Sequence, residues 1–131
     1  MTHTYSRRLA LIFGILLPVA ETVRRWPQVS TGAHLLFWFD DVLLGTMLLY
    51  GVWATRHRFV DGQRFLTAAW GCALGMGYFS FFGKLLDPPR SEPGPLSAEW
   101  VQAVIGIGLL LSVLALVGSL RPVVAQDDGS R

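Results

Sequence analysis

The chain of 131 residues contains no asparagine, a single lysine and a single cysteine, and only 15% of it is charged. Each shortage excludes something. Without asparagine there is no acceptor for N-glycosylation. With Cys72 alone no intramolecular disulfide can form, which removes paired-cysteine redox chemistry; a lone thiol inside an apolar run is a small packing residue. The net charge is only +2 and the arginines stand largely in pairs at the ends of apolar runs, so the continuous basic face that nucleic acid requires is missing. Of the three histidines, His3, His34 and His57, no two stand at metal-ligand spacing, so no zinc or di-iron centre and no other cofactor is expected.

What the chain has is apolar residues, 52% of the total, gathered into four runs with the charges packed between them. A soluble domain of this length would carry charge along one face of every helix. Here each run approaches the roughly 20 residues that a bilayer-spanning helix needs. The pattern predicts an all-α integral membrane protein, an antiparallel up-down four-helix transmembrane bundle forming one domain over residues 1–122. Its helices are expected near 8–25, 34–55, 65–86 and 98–120, with a disordered polar tail over 123–131. Pro18 is expected to kink the first helix, and Asp61-Gly62 to mark the second turn. A cleavable signal peptide is the rival reading of the first run, since paired arginines before a short apolar stretch also open such peptides. Ten arginines against one lysine, with no asparagine, is the usage of a GC-rich bacterial genome.

Orientation follows from the basic residues on each side. The N-terminus, second loop and tail carry seven: Arg7, Arg8, Arg56, Arg58, Arg64, Arg121 and Arg131. The first and third loops carry four: Arg24, Arg25, Lys84 and Arg90. The imbalance puts both termini in the cytoplasm of a bacterial cell, with the chain in the inner membrane.

This threading places the remaining polar groups in one outer layer. Glu21 ends the first helix, His34, Trp38, Asp40 and Asp41 open the second, Lys84 ends the third, and Glu99 opens the fourth. Small residues Ala69, Ala73, Gly77 and Ser80 recur at helical steps and lead to Lys84, which aims it into the bundle. Gly14 and Pro18 do the same for Glu21, and Gly45 for Asp41. A carboxylate within lipid costs several kcal/mol unless it is paired, hydrated or protonated. Lys84 is therefore expected to pair with Asp40 or Asp41, with Glu21 and Arg25 nearby. The surplus acid then needs Arg24, Arg25, His34, a cation or a proton.

Three functions fit this layer. The preferred one is binding or transport of an ion or small lipophilic molecule, with Asp41, Asp40, Lys84, Glu21, His34 and Trp38 as candidate ligand-binding or proton-coupling residues. Chain length and helix number resemble the small multidrug transporters, whose essential acid lies in the middle of the first helix; Glu21 stands near the end of that helix. The second is an accessory subunit that packs, through small-residue faces including Gly71 and Gly75, against another copy or a partner subunit in the bilayer. The third, a lipid-modifying enzyme using His34 or Lys84, has no motif to sharpen it.

Overall fold

A computed structural model of the chain describes residues 3–29, 35–87 and 97–120. His34, the proline-rich third connection and the tail lie outside the described residues. Those described form four helices and no strand: α1 (His3–Val29), α2 (Leu35–His57), α3 (Phe59–Leu86) and α4 (Ala98–Ser119). α1 runs unbroken through Pro18 and extends beyond the expected 8–25 at both ends.

The helices form a ring in which each packs on its sequence neighbours and α4 closes onto α1. Contacts descend in antiparallel register. Along α1 and α2, Thr22 meets Trp38, Pro18 meets Gly45, and Gly14 meets Leu49. Along α3 and α4, Thr67 meets Ser119, Gly77 meets Leu109, and Phe81 meets Gln102. One end of the bundle therefore carries Ser6, Thr55, Gly62 and Ser119, and the opposite end carries Glu21, Asp40, Phe82 and Trp100.

The second connection is shorter than the sequence pattern predicts. Residues 55–64 read as a polar loop, yet only Arg58 lies between α2 and α3. Its amide closes α2 onto the Ala54 carbonyl (2.8 Å), and its carbonyl receives the Gly62 amide (2.8 Å). Asp61 belongs to the first turn of α3, where a carboxylate suits the positive end of the helix dipole. Gly62 is there because the two backbones touch: a Cβ at this position would lie 2.3 Å from the Thr55 nitrogen.

Packing is tightest at the end that holds Ser6. Trp70, Leu48, Leu66 and Ser6 are fully buried, with Leu9, Ala10, Ala69 and Ala115 around them. Trp70 fills the bundle axis and reaches across the diagonal from α3 to α1. Its Nε1 donates to the Ser6 hydroxyl (3.0 Å), and the Phe13 ring meets it edge-on at 5.6 Å. α1 thus supplies an integral part of the core. The Gln63 amide donates to the Ser119 carbonyl (3.0 Å), satisfying one of the acceptors left over at the end of α4.

Candidate functional site

The charged end is built by the helical period. Glu21 precedes Arg24 and Arg25 by three and four residues, so all three side chains share one face of α1. Arg24 grips the Glu21 carboxylate with Nε (2.9 Å) and Nη2 (2.7 Å), and Arg25 contacts the same carboxylate. The side chains of Glu21, Arg24 and Arg25 are only 13, 17 and 20% exposed, so this bidentate pairing is screened less than a surface ion pair. Glu21 thus finds its cations on its own helix, where no long loop has to close to bring them together.

On α2, Asp40 is exposed and its neighbour Asp41 is half-buried, as a rotation of about 100° per residue requires when one face meets the bundle. Asp41 lies in the combined field of Glu21, Arg25, Arg24 and Asp40. Lys84 stands half-buried in the last turn of α3, at the same end.

Trp38 ties the two helices together one turn before Asp41. Its Nε1 donates to the Thr22 hydroxyl (2.8 Å), which donates in turn to the Pro18 carbonyl (2.6 Å). Trp38 is half-buried in the α1–α2 seam, whereas Trp26 and Trp100 at the same end are 63 and 68% exposed. This end of the bundle therefore holds two kinds of tryptophan, one in a helix seam and two facing outward. The seam itself is close because Gly45 carries no side chain: a Cβ there would lie 2.4 Å from the Pro18 ring and 2.8 Å from the Gly14 carbonyl.

Chemically, the α1–α2 cluster sets three carboxylates, Glu21, Asp40 and Asp41, against two guanidiniums, Arg24 and Arg25. On these two helices acid outnumbers base by one, with an indole beside it and Lys84 of α3 at the same end of the bundle. Among the described residues no three His, Cys, Asp or Glu side chains converge on a metal position.

Two clefts stand out among the described residues. One, of about 670 Å³ between α3 and α4, is lined by Phe81, Gly106, Ile107, Leu109 and Leu110, with Glu99 and Gln102 as its polar groups. The Gln102 amide nitrogen donates to the Phe81 carbonyl (2.9 Å), and the exposed wall of the groove is almost entirely apolar. The other lies at the opposite end, beside the Arg58 turn. The polar clamp of Gln63, Thr67 and Ser119, with Ser6 and Trp70 beyond it, escapes a reading based on charge. Its members are neutral, and Gln63 and Ser119 lie 56 positions apart.

No protein-family model, no curated protein and no solved structure matches the chain.

Proposed function

We propose that the chain is a multi-pass protein of a bacterial inner membrane, with four crossings and cytoplasmic termini, that binds a small or lipophilic cation at the outer end of the α1–α2 hairpin. α3 and α4 are each long and apolar enough to cross a membrane, yet only 22 and 17% of their most apolar windows are buried. A soluble core helix would be mostly covered. Here Phe79 and Leu86 on α3 and Val104, Ile107 and Leu110 on α4 face outward. Leu16, Val19 and Val23 on α1 and Phe39, Leu43 and Trp53 on α2 do the same. Outward-facing apolar side chains on all four helices are the kind of surface that marks a membrane or partner contact. Among the described residues α1 and α2 hold no equally apolar window; the charges of α1 stand towards its ends, where Glu21 already meets Arg24 and Arg25. Retention of the chain in membranes through an alkaline carbonate wash is the first expected result. Its release would overturn the membrane reading.

The observation that carries the binding reading is Asp41, half-buried among Glu21, Asp40, Arg24 and Arg25 and one turn from Trp38. Excess negative charge beside an aromatic face attracts cations by charge and by cation–π contact. Trp70 fills the axis at the other end, which supports binding at one end over passage through a single bundle. In detergent, tetraphenylphosphonium should change tryptophan emission saturably, and Asp41→Asn should weaken its binding about tenfold, equivalent to about 1.4 kcal/mol. Equal affinity for the wild type and Asp41→Asn would remove Asp41 from any binding role.

A specific observation also favours the accessory-subunit reading. Gly14, Gly45 and Gly62 have their side-chain space filled by neighbouring helices, but a Cβ at Gly71 or Gly75 meets nothing within 4 Å. These glycines, with exposed Ala68 and Cys72, form a small-residue face of the kind that lets transmembrane helices approach. If that face holds a second helix from outside the chain, Gly71→Leu with Gly75→Leu lowers the mass of the detergent-extracted particle to that of one chain. An unchanged mass would dismiss this reading.

A further inference from the structure

The cleft at the Arg58 turn lies at the end of the bundle opposite the cation site and uses none of its residues. Its volume is about 410 Å³, and Tyr50, Trp53, His57, Arg58, Asp61 and Phe65 line it. That is in the range of pockets that hold small ligands. Three aromatic residues form its wall. Phe65 meets Tyr50 edge to face at 4.9 Å and 77°, and Trp53 lies against Tyr50 at 5.6 Å. His57 is held against Trp53, with ring centroids 4.5 Å apart. Its Nδ1 contacts the Trp53 carbonyl at 3.1 Å; because a carbonyl only accepts, that nitrogen carries the hydrogen.

Charges of both signs stand in this one cleft. Arg58 occupies the N-cap position of α3, and its side chain makes no capping hydrogen bond. Asp61 follows three residues later in the first helical turn. Among the described residues neither forms an ion pair with the other or with a third group. A simple anion would be attracted by Arg58, with Arg56 and Arg64 close by in sequence, and repelled by Asp61. A simple cation would meet the reverse. A ligand with a phosphate at one pole and an ammonium at the other satisfies both, with the phosphate on the guanidinium and the ammonium between the carboxylate and the aromatic faces.

We infer that this cleft holds the zwitterionic headgroup of a phospholipid, an amino-alcohol phosphate, at the cytoplasmic surface of the bilayer. The inference rests on the membrane reading and is independent of the cation site. Tyr50 and Trp53 are half exposed, 50 and 53%, about two turns and one turn before the Arg58 bend, where the chain passes from its apolar belt to its polar end. Aromatic side chains at that level are anchors of the membrane interface.

The test uses the full chain extracted from washed membranes. Native mass spectrometry then compares retention of phosphatidylethanolamine and phosphatidylglycerol by the wild type, Arg58→Gln and Asp61→Asn. The wild type should retain phosphatidylethanolamine about tenfold better. Asp61→Asn should erase that preference, and Arg58→Gln should lower retention of both lipids. Equal or better retention of phosphatidylglycerol by the wild type overturns the inference, as does a preference that survives Asp61→Asn. Glycerophosphoethanolamine at equal concentration should not displace the lipid; displacement would overturn a lipid source. Both side chains are exposed, so helical circular dichroism should match the wild type and the unfolding midpoint should stay close to it, lowered slightly in Asp61→Asn by loss of the charge at the start of α3. Release of the chain in the membrane wash would sink the membrane reading before any lipid is measured, which keeps the two failures apart.

Discussion

Gly62→Ala is expected to destabilise the bundle by about 3 kcal/mol, the upper part of the range for overpacking a closed contact. The added carbon would lie 2.3 Å from the Thr55 nitrogen, 2.4 Å from the Ala54 carbonyl carbon and 2.6 Å from the Thr55 Cα. All three are backbone atoms, so no side chain can turn away to make room. With only Arg58 between the helices, the hairpin cannot open locally without moving α2 against α3. The same substitution at Gly71 meets nothing within 4 Å and should shift stability by no more than about 1 kcal/mol. Unfolding midpoints of the two variants in one detergent check the contrast. Equal midpoints would mean that the α2–α3 contact is looser than described.

Trp70→Ala should be as damaging by the opposite route. It removes a fully buried side chain from the bundle axis and leaves a cavity bounded by Phe13, Leu66 and the helices around them. Large aromatic-to-alanine changes in protein cores cost about 3–5 kcal/mol. For a bundle in lipid, as proposed, the cost comes from lost van der Waals contact and the void, because moving apolar groups between hydrocarbon and protein offers little driving force. The Ser6 hydroxyl also loses its indole partner at 3.0 Å, worth about 1 kcal/mol. Trp70→Phe separates the two contributions, since it keeps most of the volume and drops only the hydrogen bond. Trp53, 53% exposed, is the control: Trp53→Ala should leave the midpoint near that of the wild type. A Trp70→Ala midpoint no lower than this control would show that the axis is not filled as described.

The number of helices was legible because the apolar runs are long and the charges fall between them. The inward stripe of α3 was legible too: Ala69 and Ala73 are buried, and Gly77 packs on Leu109. The length of the second connection was not. Arg56, Arg58, Asp61 and Gly62 are the residue types of a polar turn, and nothing local says that Gly62 is small to let two backbones touch. Depth along the chain assigned Lys84 to Asp40 or Asp41 and left Arg24 and Arg25 for the surplus acid; the spacings of three and four on α1 make Glu21 the acid that those two arginines meet.

Helix number, the confinement of charge to helix ends and the exclusion of disulfide and N-glycan chemistry are properties of the sequence itself, because composition and the helical period are local. Which groups meet across the bundle was decided by the tertiary structure alone. Trp70 finds Ser6 over 64 residues, Gln63 finds the end of α4 over 56, and Trp38 finds Thr22 over 16. Neutral hydrogen-bonding side chains carry no period and no charge signature that would pair them in advance. Their partners follow from how the glycines at positions 14, 45 and 62 let the helices slide into contact, and that depends on backbone distances that only the folded bundle sets.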